Sequence, residues 1–149
     1  MKRVMWQICN TQGDIFEHYA SLMSSAEFNK FVKFYLESDF CAQEMDASYS
    51  WLHLQPALQS ADFIDMEIKK KHFVFQKEKK TYNLDVAWWL GFTYRHLALK
   101  TKMKSKDLMQ KVKMNSLVAA YPGLSTLDDD MAAEIICEEF RLPVATKNV

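Results

Sequence analysis

Residues 83–103, NLDVAWWLGFTYRHLALKTKM, make up the longest strongly apolar segment of this 149-residue chain and hold two of its four tryptophans. Everything else reads as shorter pieces that can pack against it. The segment has the marks of a helix. Asn83 suits an N-cap, Asp85 lies in the first turn, and Lys100 and Lys102 stand at the other end, each with the sign that the helix dipole favours. At 100° per residue Val86, Ala87, Leu90, Tyr94, Leu97 and Ala98 share one broad face, with Asp85, Thr93, His96 and Lys100 roughly opposite. Trp88, Trp89, Phe92 and Leu99 fall on or beside that polar side. A helix apolar nearly all round needs a cover on its second side, either the chain's own N-terminal half or a partner received by an exposed aromatic patch. Gly91 costs roughly 1 kcal/mol relative to alanine in a helix interior. A close helix crossing accounts for its presence.

Hydrophobic residues make up 49% of the chain, with only three glycines and three prolines. That composition disfavours disorder and favours helices, and the length suffices for one domain with its own core. Formal net charge is zero, so there is no global attraction to nucleic acid or an anionic membrane. Cys9, Cys41 and Cys137 are far apart among apolar neighbours, without CxxC pairing. Reduced, buried thiols in a cytoplasmic protein are the expectation. The opening MKRVMWQICNTQGD is too short and too polar for a signal peptide, and no apolar run approaches the roughly 18 residues of a membrane span.

In chain order, residues 2–10 form an apolar-rich element of open type, punctuated by Gly13. Asp14 caps a helix to about Met23. Ser24-Ser25-Ala26-Glu27 reads as a capping box opening a helix to about Glu37, with Phe28, Phe31, Val32 and Tyr35 on one face. Ser38 starts a further element with Phe40, Cys41, Met45 and Tyr49 inward and Glu44 and Asp46 outward. Around Pro56 the pattern weakens. Ile64, Met66 and Ile68 alternate with Asp65, Glu67 and Lys69, a strand signal that allows a small β-hairpin across residues 63–77. A helix through residues 58–70 fits nearly as well. Ser105 caps a short helix bearing Leu108, Met109 and Val112, and a further turn or two through Tyr121 ends at Pro122-Gly123. Thr126 or Ser125 caps the last helix, with Asp128, Asp129 and Asp130 in its first turn and Ala132, Ala133, Ile136, Cys137 and Phe140 as its core face. Residues 143–149 read as a loose tail. The expected fold is mainly α, a single-domain helical bundle around the central helix.

Motifs for chemistry are sparse. His18, His53, His72 and His96 show no metal-ligand spacing, and three glycines cannot supply a phosphate-binding loop. No catalytic residue, metal site or cofactor is expected. A scattered-residue site joining His96 to Asp85 or Glu44 is the one enzymatic arrangement left open. Charge is distributed unevenly: Arg95 to Lys113 holds seven bases and one acid, and Leu127 to Arg141 holds six acids and one base. The basic segment, with Lys100, Lys102, Lys104 and Lys106 at its centre, could meet nucleic acid through phosphate contacts beside the stacking rings of Trp88, Trp89 and Phe92. An acidic protein surface would suit it equally.

Trp89-x-Gly91-Phe92-x-Tyr94-Arg95, then Ser105-Lys106-Asp107-Leu108, then Tyr121-Pro122-Gly123-Leu124-Ser125-Thr126 together resemble a group of small, mostly helical bacterial proteins, some encoded beside ADP-ribosyltransferase-like toxins and thought to be their antitoxins. Members show a W-x-G-[FY]-x-[YF]-R helix, a serine-capped helix, and a tyrosine shortly before a His-Thr pair opening the last helix. Ser125 here stands where that histidine would be. The resemblance covers about residues 84–140. It implies a non-catalytic protein of bacterial or phage defence that binds a toxin enzyme and blocks it. Aromatic and arginine side chains dominate binding hot spots, so Trp88, Trp89, Phe92 and Arg95 are the expected partner contacts, with Tyr121 and Thr126 left to packing and capping. A small nucleic-acid-binding regulator built on residues 95–113 is the alternative.

Overall fold

The computed structural model describes residues 1–76 and 82–144. Seven α-helices run α1 (Arg3–Ala20), α2 (Ser25–Leu36), α3 (Ala57–Lys70), α4 (Leu84–Thr101), α5 (Ser105–Lys111), α6 (Met114–Leu124) and α7 (Asp129–Glu139). A π-turn at Cys41–Met45 and a 3-10 turn at Trp51–Leu54 link α2 to α3. Among the described residues there is no strand, and the fold is a mainly α bundle.

The central helix is α4. Asn83 Oδ1 caps it by accepting the amides of Asp85 (3.0 Å) and Val86 (3.1 Å). Every residue from Trp89 to Ala98 is buried, Thr93 and His96 included. The cover comes from α1, which begins at Arg3 and runs unbroken through Gly13 and Asp14. Gly13 and Asp14 therefore neither punctuate nor cap, contrary to the sequence reading, because the crossing onto α4 uses the glycine inside a helix. The two helices approach closely there. A Cβ on Gly91 would lie 2.5 Å from the Gln12 carbonyl oxygen, and one on Gly13 would lie 2.7 Å from the Trp88 ring. Gln12 Nε2 donates to the Gly91 carbonyl across the contact at 2.9 Å. The crossing expected from Gly91 is present.

Phe16, which also lies against Gly91 at the crossing, meets Phe28, Phe31 and Tyr35 of α2 edge-on at 5.1–6.2 Å. Ser24 caps α2 through a long 3.5 Å contact from the Glu27 amide. Glu27 does not return to the cap. Its carboxylate accepts the Gln76 amide at 3.1 Å and pairs with Lys30 at 3.2 Å, and together these hold it below its usual range.

The alternation at residues 64–68 belongs to a helix and not to a hairpin. Ile64 is buried and Ile68 half-buried, one turn apart on the inner face of α3, while Met66 faces water. Residues 73–76 do run extended along α2, with Phe73 and Phe75 against Phe34 at 4.7 and 6.0 Å; residue 77 lies outside the described residues. Other local expectations shift by a residue or a turn. Pro122 sits inside the last turn of α6, and Asp128, not Thr126 or Ser125, caps α7 by accepting the Met131 amide. Lys104 precedes α5 in cap position, and Ser105 turns into the core. Lys102 closes α4 in the left-handed conformation at φ 59°. Of the tail, Pro143 and Val144 are exposed and residues 145–149 lie outside the described residues.

Candidate functional site

The four residues expected to meet a partner do not form a surface. Phe92 and Trp89 are buried, and Trp88 is half-buried. Trp6 of α1 covers Phe92 at 5.7 Å, Trp88 stacks on Phe92 at 4.9 Å and donates to Asn10 Oδ1 at 3.1 Å, and Trp89 meets Tyr121 edge-on at 5.4 Å. Rings this large gain most by losing water on both faces, and α1 and α6 supply the second face.

Arg95 is 1% exposed and stands at the centre of a polar network. Its Nη1 pairs with Asp46 Oδ1 at 2.8 Å, Nε and Nη2 donate to Gln12 Oε1 at 3.1 and 2.9 Å, and Nη2 donates to Ser105 Oγ at 3.0 Å. Asp46 also accepts the Ser105 amide and hydroxyl at 2.9 and 2.6 Å, and Tyr35 donates to Gln12 Oε1 at 2.9 Å. Asp46 was expected outward. The π-turn, closed by the Asp46 amide on the Cys41 carbonyl at 2.7 Å, swings it in. A guanidinium without water needs a carboxylate, and no local spacing announces one 49 residues away. Tyr49, expected inward, is instead exposed. The Cys41 thiol beside this network is pushed up to about 11 by burial, and burial pushes Cys9 to about 12. Burial of this kind favours the protonated thiol.

The first motif, with Ser105 and Leu108, therefore describes a core, whereas Lys106, Asp107, Pro122, Gly123 and Thr126 are exposed. Gly91 admits α1, Tyr94 donates to the Val112 carbonyl at 2.8 Å, Arg95 ties Ser105 to Asp46, and Trp89 packs on Tyr121.

His96 does not reach Asp85 or Glu44. Its Nε2 lies 3.2 Å from Asp130 Oδ1, and the other oxygen, Oδ2, accepts from the N-terminal amine at 2.7 Å. Burial holds the imidazole below its usual value. The cavity beside it, lined by Trp89, Phe92 and Asp129 among others, measures about 10 Å³, room for one water at most. Glu44 is engaged elsewhere: its carboxylate accepts Ser50 Oγ and its carbonyl faces His53 Nε2, both at 2.7 Å.

The basic segment is at the surface. Lys102, Lys104 and Lys106 are exposed and Lys100 half-exposed. Two depressions adjoin it, one of about 230 Å³ beside Lys104 and Lys106 and one of about 390 Å³ beside Lys33 and Lys113. Neither is lined by an aromatic ring, so the stacking platform expected from Trp88, Trp89 and Phe92 is not there.

What the sequence reading missed is a groove of about 410 Å³ between the linking turns and α3. Trp51 (51% exposed), Phe63 (45%) and Met66 (68%) line it, with Phe40 and Leu52 on its floor. The Trp51 and Phe63 rings stand 6.3 Å apart at 81°. The stitching of the 3-10 turn to the π-turn through Ser50, His53 and Glu44 buries Leu52 and His53 and leaves Trp51 and Leu54 outward. The signal available in the sequence was negative. Trp51, Leu54, Leu58, Phe63 and Met66 are more large apolar side chains than one face of α3 can bury.

No family model matches this chain, and comparisons with curated proteins and with solved structures found no match.

Proposed function

We propose that this chain is a non-catalytic protein-binding module whose docking face is the Trp51–Phe63–Met66 groove. The observation that carries the reading is the exposure of a tryptophan, a phenylalanine and a methionine around one concavity; other exposed large apolar side chains, such as Tyr49, Leu58, Val74 and Met131, do not line it. Such anchors are enriched at hot spots, and methionine adapts to an incoming surface. The resemblance in residues 84–140 extends the proposal: the partner is a toxin enzyme of the ADP-ribosyltransferase-like kind, encoded beside this chain, and binding neutralises it in the bacterial cytoplasm. Trp88, Trp89, Phe92 and Arg95 then act indirectly, by holding the scaffold. No helix among the described residues is long and apolar enough to cross a membrane.

The nucleic-acid reading retains one favourable observation, the exposed lysines between Lys102 and Lys113. Co-expression of the chain with the protein encoded next to it separates the two. The proposal expects a stoichiometric complex and relief of toxicity, lost with Trp51→Ala and Met66→Glu and kept when Lys102, Lys104 and Lys106 become alanine. The reverse pattern, or salt-released nucleic acid as the sole bound species, would overturn it.

A further inference from the structure

We infer that the groove takes an apolar segment of the partner flanked by lysine or arginine, which rests on the docking reading above and adds the sign of the partner's charge. Asp39, Glu44 and Glu67 line the groove with Lys70. Lys71 lies 2.6 Å from Glu67 and 3.4 Å from Asp39. Three carboxylates against two ammonium groups leave one negative charge around the anchors.

Glu67 is occupied internally: it accepts the amides of Asp39 and Phe40, both at 2.8 Å, and takes Lys71. Glu44 retains a carboxylate oxygen for an incoming cation, since it accepts only the Ser50 hydroxyl. The near-perpendicular rings of Trp51 and Phe63 form a corner. Ring faces attract cations, and the alkyl stem of a lysine or arginine can lie along apolar walls while its head reaches the carboxylates.

The same charges disfavour the other occupants. A second copy docked groove to groove would oppose like charges across a two-fold axis. The chain's own basic segment, residues 95–113, carries no exposed large apolar side chain to serve as the anchor. An anionic lipid surface would be repelled.

The test pans a random-peptide display library on the full chain, with the Met66→Glu variant for counter-selection and sedimentation of both proteins alongside. Met66 projects into water, so circular dichroism of Met66→Glu is expected to match the parent, and Trp51→Ala gives an independent second lesion. The expected peptides carry aliphatic or aromatic anchors and a net positive charge. Their affinity falls at least about tenfold in either variant, and falls again with Glu44→Gln. Groove-dependent peptides that are neutral or acidic would overturn the charge inference and leave the docking face standing. The absence of any groove-dependent peptide would overturn both. A concentration-dependent dimer lost in Met66→Glu would make a second copy the occupant and overturn the inference.

Discussion

Removing the carboxylate of Asp46 should cost more stability than removing the guanidinium of Arg95, although the two face each other at 2.8 Å. The reason lies in what each partner keeps. In Asp46→Ala, Arg95 remains 1% exposed, with Gln12, Ser105 and a thiol as its remaining acceptors, all neutral. Two charges about 4 Å apart attract by about 4 kcal/mol at an effective dielectric of about 20, and leaving a buried charge uncompensated typically costs roughly 3–5 kcal/mol. In Arg95→Met an apolar chain of similar length fills the space. Gln12 Oε1 still accepts from Tyr35, and Asp46 still accepts both Ser105 donors and lines the depression beside Lys104 and Lys106. The loss is then the four hydrogen bonds that Arg95 donates to Gln12, Asp46 and Ser105, offset by removal of a buried charge, about 1–3 kcal/mol net. The double variant should be more stable than Asp46→Ala alone, with a coupling of about 2–3 kcal/mol. Urea unfolding followed by far-ultraviolet circular dichroism measures all four proteins. Two results would refute the reasoning: Arg95→Met costing more than Asp46→Ala, or additive single effects. Were Arg95 a surface contact for a partner, its replacement would leave the urea midpoint unmoved.

The three glycines should separate by surroundings under alanine substitution: Gly123, with open space around its Cβ position, gains up to about 1 kcal/mol from helix propensity. Gly91, whose Cβ would strike the Gln12 backbone at 2.5 Å, loses about 1–3 kcal/mol or more. Gly13 falls between, because a shift of the half-buried Trp88 ring can make room; equal melting temperatures for the Gly13→Ala and Gly91→Ala proteins would contradict the crossing. Acidification should destabilise the fold before the carboxylates held low are protonated. Burial holds both His96 and His53 below their ordinary value, so the unfolded chain takes up protons first as pH falls below about 6.5, and stability drops by at most about 1.4 kcal/mol per pH unit per histidine. The carboxylates held low, Glu27 and Asp130, lose their contribution only at lower pH, so a urea midpoint that stays flat between neutral pH and the mid-fives would disprove the histidine account.

The sequence by itself determined the mainly helical class and the place of the central helix, but not the reach of α1 from Arg3 or the choice of helix over hairpin at α3. Periodicity of apolar residues and the capping chemistry of Asn83 and Ser24 act within a few residues of themselves, and so can be read locally. Gly91 carried a tertiary message too, because a glycine amid large side chains states a steric need. The cover of α4 was decided only by tertiary structure, since a helix apolar all round gives no indication of whether its second face meets the same chain or another. Asp46 and Glu67 were out of reach for a related reason: their partners are Arg95, 49 residues on, and the amides of Asp39 and Phe40, up to 28 residues back. The exposure of Trp51, Phe63 and Met66 was likewise decided by packing. The inner face of α3 fills with Ala61, Ile64 and Glu67, and the side chains that do not fit there are left in water around one groove.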